Sequence, residues 1–173
     1  AHNIRHVVVC PGSRNAPIVH NLQVNGSFSL YSVTDERSAA FVALGLWLKV
    51  RTGVALCVTS GSALLNTLPG VAEAALRNIP LVIISADRPQ EFHGILDGQT
   101  LPQQGTLLPY VRTWQVNECT LEEDRDCRAT LHEAFRGFST AVPQAIHLNV
   151  PISESLFTFD VEQLPNFDCA VPQ

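Results

Sequence analysis

The chain has 173 residues, of which 46% are apolar and 16% charged, and its net charge is −5. That is one domain with enough apolar mass for a core, and its acidic balance argues against a general nucleic-acid binder. No apolar run reaches the roughly 18 residues of a membrane-spanning helix, the five cysteines are odd in number with no CxxC spacing, and the six histidines form no HExxH pair. A disulfide framework and a metal site held by this chain alone are therefore not expected.

Strand-like and helix-like segments alternate along the chain. Strands are predicted at 6–10, 29–33, 54–59, 80–85, 111–116 and 145–150, and helices at 16–24, 36–50, 62–77 and 121–139. The last helix opens on Thr120 with Glu123 three residues on, a capping box. This order predicts an α/β fold: an open, doubly wound, six-stranded parallel sheet with helices on both faces. Cys10 and Cys57 sit in apolar strand-like runs and read as buried, reduced thiols. The chain enters a strand a few residues after Ala1 without a signal-peptide pattern, and the cytoplasm is the expected compartment. The helix at 36–50 reads ERSAAFVALGLWLKV and lacks a polar outer stripe, so its outer face is expected to meet another domain or subunit. Burial of that face within this domain is the alternative.

Four polar motifs fall where strands are predicted to end, the edge at which open α/β sheets bind ligands. Pro11-Gly-Ser-Arg-Asn-Ala-Pro17 follows the first strand. There Gly12 permits a turn, Ser13 can cap the helix and Pro17 suits its first turn. Arg14 serves none of these purposes, and its fork suits a carboxylate or phosphate. Thr34-Asp-Glu-Arg37 follows the second strand and places Glu36 at a helix start. An acid there is also favoured by the helix dipole alone. Thr59-Ser-Gly-Ser62 follows the third strand and can cap a helix or offer backbone amides to a ligand. Ala86-Asp-Arg-Pro89 follows the fourth. Asp87 and Arg88 can pair to fix the loop, or Arg88 can join Arg14 in a cationic pocket for a small multicarboxylate. His93 can contact a ligand or, as a loop histidine, stand in solvent, and Trp47 and Trp114 read as core or interface aromatics.

Taken together with Gly98-Gln99 and His147-Leu-Asn-Val-Pro151, these motifs resemble the N-terminal pyrimidine-binding domain of thiamine-diphosphate enzymes. The resemblance runs from Ile4 to about Phe157, so 1–157 is expected to be that domain and 158–173 a linker toward domains this chain does not contain. The PGSRNAP and ADRP blocks are similar to the branch of the family that decarboxylates 2-oxoglutarate and adds the product to isochorismate in menaquinone biosynthesis. The resemblance implies that Glu36 is catalytic and hydrogen-bonds N1′ of the cofactor's aminopyrimidine. It implies cofactor contacts at Thr59, Ser60 and Gly61, and substrate contacts at Ser13, Arg14, Arg88 and Gln99. Gly98 stands where many relatives have Asn. The family's diphosphate and Mg²⁺ are held by a separate domain with a Gly-Asp-Gly…Asn motif, which this sequence lacks. A homodimer or dimer of dimers is implied for the full-length enzyme, and inactivity for this segment alone. The rival readings are the same domain of an acetolactate-synthase relative, a non-catalytic ligand-binding module, and a pure assembly domain.

Overall fold

The computed structural model describes residues 2–119, 124–138 and 140–159. In chain order the elements are β1 (His6–Val9), α1 (Ala16–Asn25), β2 (Ser29–Ser32), α2 (Glu36–Val50), β3 (Val54–Val58), α3 (Ser62–Asn66), α4 (Leu68–Leu76), β4 (Leu81–Asp87), β5 (Thr113–Gln115), α5 (Asp124–Phe135) and β6 (Ile146–Pro151). The six strands form one sheet in the order β2-β1-β3-β4-β6-β5. Every pairing is parallel.

The apolar strands divide by parity, as side chains of period two must. Val8, Val54, Leu56, Val58, Leu81 and Ile83 face α2 and α4. Val7, Val9, Ala55, Cys57, Val82, Ile146 and Leu148 face α1 and α5. β3 is buried along its whole length, the expectation for a central strand covered on both sides. The chain leaves β1 toward α1 on one face and β3 toward α3 on the other. A crevice therefore opens between these strands at their C-terminal ends.

The helix predicted at 62–77 is two helices, α3 and α4, with Thr67 between them. Pro69 has no N–H for the carbonyl four residues back, and Thr67 Oγ1 donates instead to Leu64 O at 2.7 Å. The capping box at Thr120–Glu123 lies outside the described residues, as do residues 160–173. Within the predicted linker, Phe159 stacks on His20 at 3.9 Å.

α2 crosses α4 where Gly70 meets Ala40. A Cβ on Gly70 would stand 2.6 Å from Ala40 Cβ and 3.1 Å from its backbone carbon. Gly70→Ala gains up to about 1 kcal/mol of helix propensity, but the overlap is with a buried methyl and backbone and costs about 1–3 kcal/mol. The overlap wins, and a thermal melt of the variant should show Tm lower by several degrees. The other side of α2 carries Phe41, Val42 and Leu48, each at least 39% exposed. The face without a polar stripe is thus left uncovered by the described residues, against the alternative of burial within this domain.

Candidate functional site

Three of the motif turns press together at the crevice, and glycines make the contacts possible. A Cβ on Gly12 would lie 2.4 Å from Thr59 Cβ, so the β1 turn rests on the β3 turn. Close approach, not an unusual dihedral, is what requires glycine there. Gly61 has φ +73°, and a Cβ on it would lie 2.5 Å from the carbonyl oxygen of Gln99. The β3 turn thus rests on the loop after β4. Ser13 does not cap α1: Asn15 is the N-cap, without a side-chain capping bond, and Pro17 sits in the first turn as expected. Asn15 donates instead to Cys10 O at 2.9 Å. Nor does a side chain cap α3, whose N-cap is Gly61.

The helix-dipole explanation for Glu36 is weakened by its neighbour. Asp35 caps α2 by accepting from Ser38 N at 2.7 Å, and the Ser38 hydroxyl first and this backbone bond second hold its carboxyl below the usual range. Glu36 is left to turn its carboxylate across the crevice, where Oε2 accepts from Asn66 Nδ2 of α3 at 3.1 Å. Among the described residues no other hydrogen bond to the Glu36 carboxylate is formed, so Oε1 stays open. Below it lies the Cys10 thiol, pushed up to about 12 by burial first and then by the charge of Glu36. Burial likewise raises Cys57 to about 12, and both thiols are free.

Arg14 is buried, 5% exposed. Its Nη1 donates to Ile152 O at 2.8 Å, and its Nη2 pairs with Glu154 at 2.9 Å. Its Nε is buried without a hydrogen-bond partner among the described residues, a vacancy worth about 1–3 kcal/mol to an incoming acceptor. Arg88 does not pair with the Asp87 carboxylate through its side chain. Asp87 Oδ1 accepts the Arg88 backbone N–H at 2.8 Å, while the guanidinium forms an ion pair with Asp97 and donates to Gly98 O at 2.8 Å. The Asp97 carboxyl is held low by Thr100 first, and then by both Arg88 and Arg14. That shared influence brings the two arginines to one region. Each is already met by an acid of the chain itself, Arg14 by Glu154 and Arg88 by Asp97.

Three strand spacings, about 14 Å, separate the ends of β2 and β4. Glu36 and Arg88 therefore occupy opposite ends of one crevice rather than a single contact. Ser13 and Gln99 are exposed at its rim, whereas Thr59, Ser60 and Gly61 are buried in its floor. The Gly61 N–H donates to Gln103 Oε1 at 2.6 Å, so it is committed within the chain. His93 is half-buried, not solvated, and its Nε2 lies 3.2 Å from Arg88 O. Trp47 borders the core under Arg51. Asn66, Gln103 and Glu154 were missed in the sequence, where isolated polar residues carry no spacing signal, whereas Asp97 falls in the loop segment 97–100 that its length marked as functional. Among the described residues no group of three or more His, Cys, Asp or Glu could hold a metal ion, and no helix is long and apolar enough to cross a membrane.

Residues 1–108 match the family model of the thiamine pyrophosphate enzyme N-terminal TPP binding domain, and the chain belongs to that family. A solved structure of a putative thiamin diphosphate-dependent enzyme from Mycobacterium smegmatis has the same fold, with TM-score 0.69 at 17% identity over 86% of this chain and 28% of that one. Among curated relatives, the 2-succinyl-5-enolpyruvyl-6-hydroxy-3-cyclohexene-1-carboxylate synthase of Bacteroides thetaiotaomicron is 50% identical over 95% of this chain and 30% of its own length. The synthase of the same name from Flavobacterium psychrophilum is 42% identical over 89% of this chain and 28% of its own length. The chain thus spans about 30% of the length of the curated relatives it matches.

Proposed function

We propose that this chain is the pyrimidine-side half of the active site of a thiamine-diphosphate-dependent synthase. The reaction is the decarboxylation of 2-oxoglutarate and the transfer of the remaining four-carbon unit to isochorismate in menaquinone biosynthesis. The observation that carries the reading is the open Oε1 of Glu36, with Oε2 anchored by Asn66. The cofactor fits this edge: a carboxylate with one free oxygen meets its pyrimidine nitrogen, and glycines at 12 and 61 keep the turns low. When bound, thiamine diphosphate supplies the electron sink for decarboxylation and carbon–carbon bond formation.

The chain's own residues do the rest. Glu36 holds a proton at N1′ of the aminopyrimidine, and Asn66 orients that carboxylate. Thr59, Ser60 and Gly61 form the floor under the ring. Ser13, Arg14, Arg88 and Gln99 bind the carboxylates of the substrates. Residues 1–157 form the domain, and 158–173 lead toward the parts of the synthase that hold diphosphate and Mg²⁺. The exposed apolar residues Phe41, Val42 and Leu48 of α2 and Ile95 and Leu96 of the loop support a face covered in a homodimer or dimer of dimers.

The test uses the full-length protein with thiamine diphosphate, Mg²⁺, 2-oxoglutarate and isochorismate, following the loss of isochorismate absorbance. Turnover supports the reading. Absence of turnover, with activity on pyruvate alone, would replace it with an acetolactate-type carboligase. In the same assay Arg88→Ala should raise KM for the acidic substrates by about 10–100-fold, the worth of a charge-assisted hydrogen bond. An unchanged KM would remove Arg88 from the substrate site.

A further inference from the structure

Gln103 lies between the crevice floor and a set of buried polar groups that the proposed reaction does not use. It is 1% exposed, and Ser85, Asp87, His147 and Asn149 around it are each at most 3% exposed. Burying so many polar groups is costly unless each finds a partner, and here a consistent assignment exists. Gln103 Nε2 donates to Asn149 Oδ1 at 2.7 Å and also reaches Ser85 Oγ at 3.1 Å and Ala86 O at 3.2 Å. Ser85 Oγ donates to Asn149 Oδ1 at 2.9 Å. Its single proton is then committed, so His147 Nε2–H donates to Ser85 Oγ at 2.7 Å, and His147 Nδ1 accepts from Thr113 Oγ1 at 2.9 Å. That is a neutral imidazole with one defined tautomer, and burial favours the neutral form. Asn149 Nδ2 donates to Asp87 Oδ2 at 2.7 Å and to Gln115 Oε1 at 2.9 Å.

The two ends of this chain of bonds are backbone amides at the crevice. At one end Gln103 Oε1 accepts the Gly61 N–H at 2.6 Å. At the other, Asp87 Oδ1 accepts the Arg88 N–H at 2.8 Å. Gly61 is also pressed against the Gln99 carbonyl. The turn at 59–62 and the loop at 88–99 are therefore bound to each other through one side chain and its partners.

We propose that Gln103 is a positioning residue that holds the 59–62 turn and the 88–99 loop as one unit, so that the cofactor floor and the substrate arginine cannot move independently. The role assigned to each end rests on the proposed function; the coupling itself does not. A Gln of this reach is suited to it: the amide accepts on one side and donates on the other, which Met, Leu or an ionised Glu of similar length cannot do.

The experiment compares Gln103→Met in the full-length protein with Val82→Ala, a buried change on the opposite face of β4, as a control for lost stability. Amide hydrogen exchange is read at 59–62 and 97–100, and kcat and KM are read with 2-oxoglutarate and isochorismate. Gln103→Met should raise exchange roughly tenfold in both segments together. It should raise KM roughly tenfold while kcat stays within about threefold, because Glu36 is untouched. Val82→Ala should leave both segments protected and KM unchanged. If Gln103→Met does not fold, Gln103→Asn, shorter by one methylene, is read the same way. Loosening of one segment without the other, or equal effects from Val82→Ala, would overturn the proposal. If the wild-type protein shows no turnover, the functional reading fails on its own, and the exchange comparison still decides for or against the coupling.

Discussion

Glu36→Gln in the full-length protein should lower kcat by three orders of magnitude or more, equivalent to about 4 kcal/mol of lost transition-state stabilisation, while the protein stays folded. The substitution keeps the size of the side chain and exchanges a carboxylate for an amide. An amide can still meet Asn66, but it cannot hold a proton at a pyrimidine nitrogen as a carboxylate does. Little stability should be lost, because the helix cap belongs to Asp35 and not to Glu36. Steady-state kinetics with a parallel thermal melt separates the two effects. A variant that keeps more than about a tenth of wild-type kcat, well short of the loss expected for a catalytic acid–base group, would refute the role given to Glu36. It would leave the fold and family untouched.

The second large effect is acid lability governed by His147. Burial lowers this imidazole from 6.5 to about 3. The folded protein therefore keeps it neutral in a range where the unfolded chain takes up a proton. Stability from this group is complete above pH 6.5 and falls as pH drops toward 3, because the unfolded state then binds more protons. The gap corresponds to roughly 5 kcal/mol over the whole window, and about 3 kcal/mol between pH 7 and 4.5. The carboxyls held low at Asp35, Asp97 and Glu133 add acid sensitivity only below about pH 4.5. Above that pH the histidine acts alone, and between about pH 4.5 and 3 the two contributions overlap. Denaturant midpoints at pH 7, 6, 5 and 4.5 would measure the slope. His147→Gln should be less stable at pH 7 yet show a much flatter slope. Equal slopes in the two proteins would show that another group carries the effect.

Much of this architecture was legible because its signals are local and repeated. β1, β3 and β4 are short runs dominated by Val, Leu, Ile, Ala or Cys between turn residues, and the turns carry Gly, Ser and Pro, so the middle of the sheet and its ligand edge could be read from spacing. The break at Thr67 was legible and was passed over: Pro69-Gly70 stands in the middle of the predicted helix at 62–77, where a Pro ends or kinks a helix, and the apolar residues on either side masked it. The site was legible only in part. Glu36, Arg14 and Arg88 stand out as charges at strand ends. Their partners Asn66, Glu154 and Asp97 lie far away in sequence or on an irregular loop, and pairing at such range leaves no periodicity to detect. Gln103 is the clearest case. It lies in the run Leu101-Pro-Gln-Gln-Gly105 beside Gln104, which is exposed, and nothing in the run distinguishes the buried glutamine from the solvated one. The motif Asp87-Arg88 suggested an ion pair. The structure divides the work instead, with the acid on a backbone amide and the base on Asp97.

The glycine contacts at the crevice also bear on how such a protein can diversify. Positions 12 and 61 have no room for even a methyl group, so the inner wall is closed to side-chain variation. Gly98 is the reverse case: a Cβ there would meet nothing within 4 Å, and its carbonyl, not its α-carbon, receives Arg88. Under the proposed function, side chains can be added on the outer loop at 98 while the inner turns stay constant. A library confined to that position is then expected to change which acids are accepted without moving the 59–62 turn.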